Sequence, residues 1–141
     1  MKSSFSKFAT AAALVSGIFG VAGCAHHKQP EPMNTISVTA TSREPVAFSP
    51  NAVAYVRLAD VTQGQARSTT ILQKEVRADG LPVGCTLSYS ENWIKPSHQY
   101  AVDVRIVDHG QLLLLSDANH RVITDGHPNT VEMNLDAPGR H

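Results

Sequence analysis

The protein has 141 residues, 12 Lys+Arg against 12 Asp+Glu, 42% hydrophobic and 17% charged side chains. That length supports one domain with one core and excludes a multidomain enzyme. The charge balance excludes a nucleic-acid binder, which needs a basic face, and the hydrophobic content excludes a compositionally disordered chain.

The N-terminus carries the strongest signal. Met1–Lys7 holds two lysines and no acid, and Phe8–Gly23 follows as 16 uncharged residues. As a helix that run spans about 24 Å, short of the roughly 30 Å hydrocarbon core, so it reads as an export signal rather than a membrane span. It ends in Val21-Ala22-Gly23-Cys24, which resembles the bacterial lipobox. The resemblance implies that residues 1–23 are a lipoprotein signal peptide and that Cys24 is both the lipidation site and the first mature residue. Removing 23 of 141 residues leaves 118, with a charge balance of 10 to 12. Each buried CH₂ contributes about 0.8 kcal/mol and stable attachment takes two chains, so the two or three chains of such a lipoprotein fasten it to the membrane permanently. In the lipoprotein sorting pattern of enteric-type bacteria an aspartate after the cysteine favours retention in the inner membrane. Ala25 stands there instead, which points to an outer-membrane anchor with the domain in the periplasm.

Residues 24–33 continue as AHHKQPEPM after the cysteine, polar and proline-bearing, and read as a flexible tether. From Asn34 the pattern turns to period two. Ile36, Val38 and Ala40 alternate with Thr35, Ser37 and Thr39 as a first strand. Ser49-Pro50-Asn51 turns the chain, and Ala52–Val61 follows with Ala54, Val56 and Leu58 on one face. Gln63-Gly64-Gln65 is a turn, and Arg67–Arg77 is β-rich. Asp79-Gly80 is a hairpin-type signal before Val83–Ser90, where Val83, Cys85, Leu87 and Tyr89 alternate. Glu91–Ser97 is a loop holding the one Trp, Trp93. His98–Val107 is the clearest strand, with Tyr100, Val102, Val104 and Ile106 inward and Asp103 and Arg105 outward.

Asp108-His109-Gly110 is a tight turn into four consecutive leucines, Leu112–Leu115. Such a run is either covered on both faces or leaves one face to a partner, which makes Leu113 and Leu115 the candidate partner-binding residues. Arg121–Thr124 is a short edge strand, and Thr130–Leu135 alternates as the last main one. Residues 137–141 form a frayed tail. Seven main strands at this spacing, without an amphipathic helix, predict an all-β domain over residues 34–136: an antiparallel, immunoglobulin-like β-sandwich.

Two cysteines with Cys24 lipidated leave Cys85 without a disulfide partner, as a small core hydrophobe. The seven histidines (His26, His27, His98, His109, His120, His127, His141) invite a metal reading. They fall mostly in tether, turns and tail, with no HExxH, no CxxC and no His-x-His on a strand. No Gly-x-Ser-x-Gly or phosphate loop is present, so the expectation is no catalytic residue, no metal and no cofactor.

Pro50-Asn51-Ala52, Val56-Arg57-Leu58-Ala59-Asp60-Val61, Leu81-Pro82, Tyr89, Ile94, Pro96, His98-Gln99-Tyr100, Arg105-Ile106, Gly110-Gln111-Leu112 and Val122-Ile123-Thr124 occur in an order that resembles the YscW/YbaY family of envelope lipoproteins over about residues 35–136. The family's better-understood members are pilotins, lipid-anchored chaperones that bind a secretin subunit and aid its outer-membrane assembly. Many others are general envelope lipoproteins. The resemblance therefore implies a non-catalytic envelope role, with secretin chaperoning as its alternative. A metal or small-ligand carrier stands beside them as a third reading. The partners the resemblance implies are the membrane and a secretin or other exported protein, and no nucleic acid. Asp60, Pro82 and Tyr100 match as fold determinants. Cys85 departs from the family's usual apolar residue, which fits its core reading.

Overall fold

The computed structural model describes residues 30–116 and 120–139. Cys24, the signal, His26, His27 and His141 lie outside them. Eight strands form: β1 (Met33–Thr41), β2 (Val53–Asp60), β3 (Thr69–Arg77), β4 (Val83–Ser90), β5 (Tyr100–Asp108), β6 (Gln111–Ser116), β7 (His120–Val122) and β8 (Thr130–Asp136). Only two short 3-10 turns, Gln65–Arg67 and Glu91–Trp93, interrupt the β pattern in the described residues.

The alternation read from the sequence is the packing. Ile36, Val38 and Ala40 of β1, Ala54, Val56 and Leu58 of β2, Tyr100, Val102, Val104 and Ile106 of β5, and Val131, Met133 and Leu135 of β8 all lie buried in one core. Successive strand side chains point to opposite faces, so each such strand sends every second residue inward. Cys85 is a free thiol packed against that core, and burial pushes its pKa up.

The architecture corrects the immunoglobulin-like sandwich. The strands join in one path, β3-β2-β5-β6-β8-β1-β4, with β7 also paired to β5. The pairs are antiparallel except β1–β8, which runs parallel from Ser37↔Thr130 to Thr41↔Asn134. The two ends of the path, β3 and β4, curl toward each other, and Lys74 Nζ donates across the seam to the Thr86 carbonyl at 3.0 Å. The sheet is thus a nearly closed barrel of eight strands. Asp79-Gly80 does turn the chain, but β3 and β4 are not hydrogen-bonded partners: Ala78 N–H bonds Ala52 O at 2.9 Å and β4 pairs β1 instead. A turn signal fixes a local reversal, not a ladder partner. His109-Gly110, by contrast, is a two-residue hairpin between Asp108 and Gln111, with φ of 49° and 76° matching the left-handed positions of such turns.

Candidate functional site

The leucine run is divided by a bulge. β5 and β6 pair Arg105↔Leu115 and Ile106↔Leu114, then shift to Val107↔Leu112, so Leu113 is the extra residue. Leu114 is 1% exposed and in the core, Leu113 packs against the core's margin, and Leu112 is 41% exposed. Leu115 opposes outward-facing Arg105 and lies on the exterior. Leu113 and Leu115 are therefore not brought onto one surface; Leu115 is joined by Leu112.

These two leucines line a groove of about 410 Å³ on the outer face, with Arg57, Gln65, Asp103, Val104, Arg105 and Ser116. The groove lies where β5 changes partner. β7 pairs Tyr100–Val102 and β6 pairs Arg105–Asp108, so the residues between have no strand on that edge. The Val104 N–H is met by Ser116 Oγ at 3.2 Å instead.

Outward residues of neighbouring strands set the electrostatics. Arg57 and Asp103 oppose each other and pair through Nε–Oδ2 at 2.8 Å and Nη2–Oδ2 at 2.6 Å, both side chains 27% exposed. Arg105 opposes Tyr55 and stacks over its ring, 5.3 Å from the centroid. It has no carboxylate ion-pair partner among the described residues. The groove therefore offers two leucines beside one uncompensated guanidinium, a surface for an apolar side chain next to an acidic group.

Two carboxylate clusters were not legible as pairs. Asp60, at the end of β2, accepts from His98 Nδ1 at 2.5 Å and from the Thr62 hydroxyl and N–H at 2.5 and 3.0 Å. Burial pushes that carboxyl up, but the hydrogen bonds outweigh it and hold its pKa at about 2. Asp108 accepts from Ser49 Oγ at 2.5 Å and Ser49 N–H at 2.8 Å, with His109 Nδ1 2.8 Å away. Those Ser49 bonds hold the Asp108 carboxyl below its ordinary range. Serine, histidine and aspartate meet here, but the hydroxyl donates its hydrogen bond to the carboxylate. A catalytic triad needs it on the imidazole; this cluster clamps the turn before β2 to the β5–β6 hairpin. Asp103, outward on β5 as its alternation predicts, faces Arg57 and takes no part in this cluster. The Ser49–Asp108 bond spans 59 residues and Asp60–His98 spans 38, so spacing carries no trace of either.

Among the described residues no three His, Cys, Asp or Glu side chains gather into a metal-holding group. Asp60 and Tyr100 have the structural roles their resemblance implies: the buried Tyr100 Oη accepts the Lys95 N–H at 2.8 Å. Pro82 opens β4 after a cis Leu81–Pro82 peptide.

Comparisons with known proteins converge on one group. The family described as type III secretion system lipoprotein chaperone (YscW) matches residues 31–135. The uncharacterized lipoprotein YbaY of Escherichia coli K12 is 30% identical over 93 residues, 64% of this chain and 49% of that protein, so the chain spans about half the length of the curated relative it matches. An alternative pilotin from the type II secretion system of Vibrio cholerae has a solved structure that matches with TM-score 0.69 and 34% identity, covering 74% of this chain and 96% of that one. With the family match running across nearly the whole β domain, from the residues before β1 to Leu135 in β8, the chain belongs to the YscW family of lipoprotein chaperones.

Proposed function

We propose that this protein is a pilotin-like chaperone, fastened to the outer membrane through lipid on Cys24, with its barrel in the periplasm capturing an exported secretin subunit. The observation that carries this reading is the match to a pilotin over 96% of that protein's length. Lipidation turns capture into delivery, because a client bound to the domain inherits its anchor. The groove between Leu112, Leu115 and Arg105 supplies the chemistry: an amphipathic client segment places apolar side chains on the leucines and a carboxylate on Arg105.

The test is a crosslinked pull-down from the membrane fraction with the intact protein and with Leu115→Ser and Arg105→Glu variants. A secretin subunit recovered with the intact protein and lost with both folded variants supports the reading. Equal recovery with all three removes the groove from it.

The similarity to YbaY favours a second reading, a general envelope lipoprotein without a dedicated client. Under that reading the pull-down returns no stoichiometric partner.

A further inference from the structure

Strand directions sort the loops of this barrel into two ends. The starts of β1, β5 and β8 and the finishes of β2 and β4 lie at one end; the His109-Gly110 hairpin and the finish of β3 at Arg77 lie at the other. Three large hydrophobic side chains stand exposed among the described residues: Met33 at 52%, Trp93 at 47% and Leu112 at 41%. Leu112 belongs to the groove. Met33 and Trp93 share the first end: Met33 pairs with Ser90 in the β1–β4 ladder, and Trp93 closes the 3-10 turn that begins at Glu91.

The loop that presents Trp93 is fixed. Ile94 N–H bonds Glu91 O at 3.0 Å, Lys95 N–H bonds the buried Tyr100 Oη at 2.8 Å, and His98 N–H bonds Lys95 O at 3.0 Å. His98 is held in turn by Asp60, and Ile94 packs against the core. The fold thus sends the neighbouring isoleucine inward and holds the indole outside on a braced platform.

We infer that this end of the domain, led by Trp93 and Met33, seats in the headgroup–acyl boundary of the phospholipid bilayer that carries the Cys24 lipid. The inference rests on the anchoring reading given above. The tether sets the distance: eight residues, Ala25–Pro32, separate Cys24 from Met33, and nine Cα steps reach at most about 30 Å. The chain enters the barrel at the end that bears Trp93, so the anchor holds that end nearest the bilayer. It also keeps the local concentration of that end at the surface in the millimolar range, at which a weak interfacial contact is populated. Indole is the side chain best suited to that boundary, apolar in its ring and polar at its N–H. Exposed Lys95 beside it carries an ammonium that can reach lipid phosphate while its stem stays with the apolar surface. Glu91 and Glu31 set two carboxylates against that one ammonium, and the Glu31 carboxylate is engaged by Ser90 Oγ at 2.8 Å. The contact is therefore apolar in origin and does not need anionic lipid.

Trp93 is the one Trp of the chain, so its emission reports this end alone. The full lipidated protein is reconstituted in phosphatidylcholine vesicles, with and without acyl chains brominated near the headgroup. The expected result is emission at shorter wavelength than for the Cys24→Ser protein in buffer, loss of emission on bromination, and protection from acrylamide. A Trp93→Phe, Arg77→Trp double variant moves the reporter to an exposed site at the other end of the barrel. There it stays open to acrylamide and untouched by bromine. If the protein sediments with vesicles while Trp93 remains open to acrylamide, this inference falls and the anchor stands. Failure to sediment overturns both. Equal quenching of the two reporters overturns the oriented seating.

Discussion

The bulge at Leu113 makes a sharp energetic prediction for adjacent leucines. Leu114 is 1% exposed and packs in the main core, whereas Leu115 is half-buried in a groove open to solvent. Truncating a fully buried leucine loses its transfer free energy and leaves a cavity that relaxes only in part, about 2–5 kcal/mol. Leu115→Ala loses part of the transfer term and leaves no closed cavity, which amounts to less than about 1 kcal/mol. In a domain of this size each 1 kcal/mol lowers Tm by roughly 4–8 °C. Leu114→Ala is thus expected to melt about 8–40 °C below the parent, about 20 °C at mid-range, and Leu115→Ala within about 8 °C of it. Thermal unfolding followed by far-ultraviolet circular dichroism, with urea titration alongside, measures both. Client capture should show the opposite ranking, with Leu115→Ala impaired and still folded. Equal destabilisation by the two substitutions, or a larger loss at Leu115, would refute the division of the run into a core leucine and a surface leucine.

Three further outcomes follow from the geometry. The Asp60 carboxyl sits at about 2 in the fold against 3.8 for the free group, so its contribution is complete above about pH 4 and lost as pH falls toward 2. In urea titrations across that window Asp60→Asn should flatten the loss of stability and cost on the order of 1 kcal/mol at neutral pH, since the part-buried pair is still partly screened by solvent. Tyr100→Phe strips the acceptor from the Lys95 N–H and should destabilise by about 1–2 kcal/mol, with a fall in Trp93 fluorescence anisotropy as the loop loosens; unchanged anisotropy would contradict the bracing role. A double-mutant cycle of Arg57→Met and Asp103→Asn should give a coupling of about 0.5–1 kcal/mol, as expected for a part-exposed pair, and a coupling indistinguishable from zero would remove it as a determinant of the groove.

Most of the strands were legible because their alternation is the packing itself. Tyr100, Val102, Val104 and Ile106 face inward as the period requires, and β1, β2, β4 and β8 follow the same rule. Partner choice was not legible. Period two says which face a residue takes and nothing about which strand lies alongside, so the parallel β1–β8 ladder and the curling of β3 toward β4 had no local signal. The same blindness turned Asp79-Gly80 into an expected hairpin. The leucine run was ambiguous for another reason: four equal side chains have no alternation to read, and the bulge that assigns their faces is set by the pairing with β5. At the groove, outward Asp103 and Arg105 could be read from β5 alone, while Arg57 and Tyr55 required the β2–β5 register. The Ser49–Asp108 and Asp60–His98 contacts depend on tertiary closure and left only turn-type residues as a trace.

In the proposed function, capture by this domain and delivery to the membrane are one act joined at Cys24. It is tested most directly by following a secretin subunit through cell fractionation in the presence of the intact protein or its Cys24→Ser variant. The subunit is expected to sediment with the outer membrane in the first case and to stay soluble, still bound to the variant, in the second. Equal arrival of the subunit in the outer membrane with both proteins would contradict it.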